Sequence, residues 1–263
     1  MSSKPLTPII ESYNTDEEYL YIKSYIFIKG FAQGLQLKNT LRALPLARFL
    51  HNGQYRKGET IVNGKMVKLP YILHPLKVCS TLISLNLNMS KEDLDILCTC
   101  AILHDVVEDR EDTFPKEGIE LVTDYAFPEQ VYTTIKLLSK HSGATEYELN
   151  EYFNNIKHNV FALLIKLADR SHNVETLNSF KIDKLHKYTN ETRRWIYDLC
   201  SYGKQHYPQH SNGFTILKAK IVSLTELTET LVDQHMEKEA ALNKEIAALK
   251  AELEKYKTKI TKS

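Results

Sequence analysis

The nine residues Ala101-Ile-Leu-His-Asp-Val-Val-Glu-Asp109 constrain the fold of this chain more than any other stretch. Ile102, Val106 and Asp109, or Leu103 and Val107, recur at helical spacing with no Gly or Pro between them, so the run reads as a helix. On such a helix His104 and Glu108 share a face, and Asp105 and Asp109 form a second pair beside them. Four polar groups on an otherwise apolar helix cost several kcal/mol in desolvation unless something compensates. A divalent metal ion does so, because it takes neutral imidazole and ionised carboxylate together. A helix whose first half is buried and whose second half emerges into water is the simpler account of a lone His-Asp pair. Two further segments shift the balance.

The first is Tyr71-Ile-Leu-His-Pro75, which offers His74 just before a helix begins, and the second is Leu164-Ile-Lys-Leu-Ala-Asp-Arg-Ser-His-Asn173, which offers Asp169 within an apolar helix. Singly, His74 reads as a capping histidine and Asp169 as a salt-bridged core carboxylate. As an ordered series on successive helices, His74, His104, Asp105 and Asp169 make a mixed nitrogen and oxygen ligand set. That set suits manganese, iron or zinc, with positions left open for water.

The chain has 263 residues, 43% hydrophobic and 25% charged, enough for one sizeable core with some chain left over. A net charge of +1 gives no electrostatic footprint for a nucleic acid polymer or an anionic membrane. The cysteines Cys79, Cys98, Cys100 and Cys200 lack zinc-ligand spacing, and all but Cys200 fall in apolar helical patterns. They read as buried free thiols in a reducing compartment. With no leader-like start and no apolar run of membrane-spanning length, a cytoplasmic protein is expected.

An all-α fold follows from the rest of the pattern. Residues 1–14 read as a flexible arm, and Thr15-Asp-Glu-Glu18 reads as a capped helix start ahead of an aromatic helix running to about Leu37. A second helix covers about 40–52. Asn63-Gly64, between short β-branched runs, predicts a hairpin over 59–68. Helices are then expected over 75–87, 91–109 (capped by Ser90), 128–140, 146–157, 158–178 and 183–201. The absence of βαβ alternation excludes a nucleotide-binding parallel sheet. Tyr207 to Gly213 marks a boundary between a domain at 15–205 and a helical extension at 214–263. In that extension Leu217, Ile221, Leu224 and Leu231, then Leu242, Ile246, Leu249, Leu253, Tyr256 and Ile260, recur at heptad-like steps. The two sets are out of phase across 235–242, which predicts a stutter if they form one coiled coil. The second set reads equally as a self-association helix, giving a homo-oligomer, or as a solvated tail.

Four blocks together resemble the hydrolase domain of RelA/SpoT-type alarmone enzymes, within the HD phosphohydrolase superfamily. They are Ala47-Arg-Phe-Leu-His-Asn-Gly-Gln-Tyr-Arg-Lys57, Tyr71–Pro75, Leu103–Asp109 and Ile165–Asn173, and the resemblance covers roughly residues 40 to 200. It implies an HD-domain helical bundle in which His74, His104, Asp105 and Asp169 hold one Mn2+ ion. Glu108 and Asp109 would be the catalytic pair. Arg56, Lys57, Asn173 and Thr176 would contact a guanosine tetra- or pentaphosphate substrate. The implied reaction is removal of the 3′-pyrophosphate from ppGpp or pppGpp, giving GDP or GTP plus pyrophosphate. No synthetase block follows residue 200, so a small stand-alone hydrolase is expected. Alternatives are an HD phosphatase for another phosphorylated nucleotide or a dinucleotide such as NADPH, and a non-enzymatic nucleotide-binding scaffold.

The chain departs from the family pattern in three places. Arg110 follows Glu-Asp where the family has Thr, the hairpin lengthens a usually short link, and Ser171 stands where Leu is usual. Arg110 reads as an extra cation beside the site, and the hairpin as a lid or as solvent-facing decoration.

Overall fold

The computed structural model describes residues 15–260 apart from 63, 111, 117, 141–142 and 177–181, with the backbone alone at 15–20, 57–60, 62, 183, 256 and 258–260. The arm expected over residues 1–14 lies outside the described residues. Helices α1 (Thr15–Leu35) and α2 (Lys38–Leu50) lead into an antiparallel hairpin of β1 (Tyr55–Val62) and β2 (Lys65–Pro70). Helices α3 (Leu73–Ser84), α4 (Lys91–Leu103), α5 (Val106–Asp109), α6 (Glu120–Thr123), α7 (Glu129–Leu138), α8 (Glu146–Lys157) and α9 (Val160–Glu175) follow. Then come α10 (Ile182–Glu191), a π-helical turn at Thr192–Ile196, α11 (Tyr197–His206), a 3-10 turn at Pro208–His210 and the long α12 (Ser211–Ile260). The all-α architecture with one small hairpin is the one the sequence predicts.

Local chemistry sets the helix starts. The Ser90 hydroxyl accepts from the Asp93 amide at 3.0 Å to open α4, and Asn159 accepts from Ala162 at 2.9 Å to open α9. Thr145 and Glu148 form a reciprocal capping box on α8. The start of α2 borrows its cap from another helix. Asp95 of α4 accepts from the Asn39 and Thr40 amides at 3.0 and 2.8 Å, which fixes α2 against α4.

The core is centred on α4 and α9. Both are apolar nearly all round, and such helices are stable only when covered on every side. Leu97 through Leu103 are buried on α4, as are Phe161 to Ile165 and Leu167 to Ser171 on α9. Helix α9 is covered by α3, α4, α7, α8, α11 and α12. A polar side chain on the buried stretches of these two helices is therefore held by a dry frame.

Several boundaries differ from the sequence expectation, each for a physical reason. The helix expected over 91–109 breaks at His104-Asp105. The His104 imidazole Nδ1 lies 2.9 Å from the Ala101 carbonyl, competing for the acceptor that the next helical N–H would use. The helix expected over 183–201 contains the π-helical turn, where the Thr192 hydroxyl bonds the Tyr188 carbonyl at 2.8 Å. The hairpin is longer than 59–68, with an irregular register between Tyr55 and Glu59. Its turn uses Gly64 at φ 78, while Asn63 lies outside the described residues. Ile61 and Met66 near the tip are 69% and 63% exposed, so the tip projects into solvent. Helix α6 had no sequence signal, and α12 starts at Ser211, leaving only a 3-10 turn at the expected boundary.

The expected stutter in α12 is absent. The residues of α12 buried against the rest of the fold are Phe214, Leu217, Ile221, Thr225 and Val232, rather than the Leu224 and Leu231 of the sequence reading. From Ile221 that stripe advances in steps of four and three through Thr225, Thr228 and Val232. Continued, it reaches His235, Glu239 and Leu242 in phase. Gly203 of α11 lets the Phe214 ring lie directly on its backbone, where a Cβ would collide. Arg193 adds a charged tie to Glu229, its Nε donating at 2.7 Å.

Candidate functional site

Two features of His104 suit it to hold a metal ion. A carbonyl only accepts, so the bond to Ala101 puts the proton on Nδ1 and leaves a lone pair on Nε2. That Nε2 is buried, has no hydrogen-bond partner, and lies 3.1 Å from Oδ1 of Asp105. A lone pair facing a carboxylate oxygen is repulsive unless a cation sits between or beside them.

The other polar groups converge on the same point. The ligand atoms of His74, His104 and Asp105 lie within 4.8 Å of one another. His74, in the first turn of α3 rather than just ahead of it, puts Nε2 3.5 Å from Oδ2 of Asp105 and 3.1 Å from Oδ1 of Asp169. Asp169 thus joins the trio through His74. Two imidazoles and two carboxylates from α3, the α4–α5 break and α9 share one buried floor, and this donor set fits a divalent cation.

Each of these groups is held from behind. The Tyr71 hydroxyl donates to Oδ2 of Asp105 at 2.7 Å. Lys166 lies 3.3 Å from Oδ2 of Asp169, and Asn173 donates its amide to Oδ1. Burial works to raise the pKa of Asp169, but Lys166 and the bond to His74 outweigh it and hold the carboxyl well below its usual range. Nδ1 of His74 meets Nδ1 of His172 at 2.7 Å. Burial, then the neighbouring His74 and Arg56, push His172 down to about 3, so its ring is neutral. Donation from Nδ1 of His74 to that ring, with the proton of the Nε2–Asp169 bond given up, is the tautomer that leaves Nε2 of His74 free to bind a metal ion.

The rim carries the remaining candidates. Glu108 and Asp109 lie on α5 directly after the floor and are exposed. Burial of their inner atoms, then the charge of Asp105, raises both, Asp109 to about 6. Arg56, at the base of the hairpin, donates to Oδ1 of Asn173 at 3.1 Å and to the Thr176 hydroxyl at 3.0 Å. Its guanidinium also lies 5.9 Å from the Tyr71 ring centre. Arg56, Asn173 and Thr176, distant in sequence, therefore form one polar cluster beside the floor. The side chain of Lys57 lies outside the described residues.

Arg110 is turned away from this role. Its Nε and Nη2 grip Asp112 at 2.9 and 2.8 Å, and Nη1 donates to the Leu50 carbonyl. Ser171, the other departure, is fully buried with its hydroxyl unpartnered.

Sequence reasoning missed Tyr71, His172, Lys166 and Lys140. The first three sit inside the blocks quoted above, and the i,i+3 spacing of Lys166 and Asp169 was a usable signal. Lys140, whose backbone N–H and charge both reach Glu108, carried none.

Residues 71–174 match the model of the HD domain family. The bifunctional (p)ppGpp synthase/hydrolase SpoT of Escherichia coli is 31% identical over 181 residues, covering 66% of this chain and 23% of that protein. The guanosine-3′,5′-bis(diphosphate) 3′-pyrophosphohydrolase of Borreliella burgdorferi is 32% identical over 150 residues, covering 54% of this chain and 19% of that protein. This chain therefore spans under a quarter of the length of these relatives. A solved structure described as a metazoan ortholog of SpoT that hydrolyzes ppGpp superposes with a TM-score of 0.48 at 18% identity, covering 72% of this chain and 95% of that one. Over residues 71–174 the chain is thus similar to the HD domain family, and over a longer stretch to the guanosine-3′,5′-bis(diphosphate) 3′-pyrophosphohydrolases.

Proposed function

We propose that this chain is a metal-dependent hydrolase that removes the 3′-pyrophosphate of ppGpp and pppGpp, consuming one water and giving GDP or GTP plus pyrophosphate. The observation that carries this reading is the buried, unpartnered Nε2 of His104 facing Asp105. His74 and Asp169 lie beside it, and two carboxylates sit one turn beyond. His74, His104, Asp105 and Asp169 would hold the ion, for which we propose Mn2+. Once bound, such an ion supplies Lewis acidity to a phosphoryl oxygen and lowers the pKa of water.

The chain's own groups supply the rest. In this reading Glu108 and Asp109 take the proton from the attacking water as its oxygen bonds to phosphorus, and return a proton to the ribose 3′-oxygen as its bond to phosphorus breaks. A polyanionic substrate would be repelled by those carboxylates without opposing charge. Arg56, held by Asn173 and Thr176, presents a planar fork to phosphate or a flat face to a base, and Lys57 adds a point charge. Tyr71 and His172 orient Asp105 and His74. A cytoplasmic location fits the four free, buried cysteines.

A panel of phosphorylated nucleotides, including ppGpp, pppGpp and NADPH, tests this when incubated with the manganese-loaded protein and followed by product identification. GDP and pyrophosphate in equal amounts from ppGpp, at the highest kcat/KM of the panel, is the expected result. Preference for another nucleotide would reassign the substrate. No turnover of any member with metal demonstrably bound would leave the scaffold reading.

A further inference from the structure

Among the described residues, nothing packs against the apolar stripe on the distal half of α12. Leu242, Ile246, Leu249 and Leu253 are 57%, 40%, 58% and 55% exposed, and every residue from 233 to 255 is exposed. The exposed segment from 233 to 255 is roughly 35 Å long at the helical rise per residue. Its stripe continues in phase the face by which the first half of α12 is buried.

We propose that this segment pairs in parallel with the same segment of a second copy of the chain. The heptad places Ile246, Leu253 and Ile260 at a and Leu242, Leu249 and Tyr256 at d. Ile246 and Ile260 at a with Leu242 and Leu249 at d fit the pattern that favours two parallel strands, and Leu253 at a and Tyr256 at d depart from it. The flanking charges choose the same partner. Glu245 and Glu252 fall at g, and Lys250 and Lys257 fall at e. In a parallel, in-register pair each g residue meets the e residue five places on in the other chain, giving Glu245 to Lys250 and Glu252 to Lys257, twice each. An antiparallel pair with a facing d, centred midway between Ala247 and Ala248, instead sets Glu245 against Glu252, and one centred on Ala251 sets Lys250 against Lys250 and Glu252 against Glu252. The charges thus specify a second copy in one orientation. Lys257 bonds Glu254 of its own helix at 2.8 Å, an exposed contact that a partner glutamate can replace at little cost.

The pairing has a definite upper limit along the helix. His235 and Glu239 occupy the seam positions between buried Val232 and Leu242. These polar residues mark where the two helices part, each turning its seam onto its own globule. The assembly is a Y, with the stem beginning at Leu242 and the two sites at the tips.

Sedimentation equilibrium of the full chain, together with oxidation of a Leu242→Cys variant, tests this. The expected result is a concentration-dependent species of roughly twice the monomer mass. Glu245→Lys/Glu252→Lys alone and Lys250→Glu/Lys257→Glu alone are each expected to be monomeric, and their mixture to recover the dimer. The four native cysteines are buried, so Leu242→Cys is expected to give a disulfide-linked dimer through the new thiol. A wild-type monomer at every concentration, a dimer indifferent to both charge reversals, or a dimer that Leu242→Cys fails to cross-link would overturn the proposal.

Discussion

Helix α9 and the distal half of α12 both carry rows of large apolar side chains and meet opposite surroundings. On α9, Leu163, Leu164, Ile165, Leu167 and Ala168 are fully buried, whereas on α12 Leu242 and Leu249 are more than half exposed. Each leucine buried on α9 contributes about 1.5–3 kcal/mol, and the distal leucines of α12 contribute nothing to the globule. That difference explains where chemistry can sit. A carboxylate on α9 is held in a dry frame where charges act strongly, and the same carboxylate on distal α12 is screened by water.

The largest expected effect lies on the buried side. His104→Ala removes the unpartnered lone pair, and loss of both manganese binding and hydrolysis is expected by calorimetric titration and product assay. If His104→Ala kept full activity, the floor would not be the site. Glu108→Gln is next. It keeps the shape and the metal while removing the proton acceptor, so turnover is expected to fall by about 10²–10⁴ with manganese affinity unchanged. Loss of metal with that variant would move Glu108 into the ligand set.

His172→Ala acts through His74 and is expected to weaken manganese binding by about 10–100-fold, measured by competition with a chelator. An unchanged affinity would mean that His74 needs no orienting partner. Phe214→Ala probes the packed half of α12, where loss of the ring against Gly203 is expected to cost about 3–5 kcal/mol by denaturant unfolding. The smallest effect belongs to the free half. Truncation after Met236 is expected to leave turnover unchanged, and lost activity in a folded truncation would couple the two regions.

Much of the frame is legible in the sequence because apolar periodicity reports helices directly. The His-Asp block, the lone histidine in the first turn of α3 and the aspartate in α9 stand out because polar groups in apolar runs demand a partner. Other features depend on contacts that no local pattern encodes. The break at His104 arises from one ring competing for one carbonyl, and the tie of Arg110 to Leu50 spans residues far apart in the chain. The phase of α12 was hidden because Thr225 is fully buried in its packed face, while the more apolar Leu227 and Leu231 point to solvent. Lys140 lies beyond a short helix, and only the folded chain brings it to Glu108.

Anomalous scattering from crystals of the manganese-loaded protein tests the central claim most directly. The account predicts one peak per chain, bonded to Nε2 of His74 and His104 and to carboxylate oxygens of Asp105 and Asp169. A well-ordered ion elsewhere, or no ion at this floor in a protein that hydrolyses ppGpp, would contradict it.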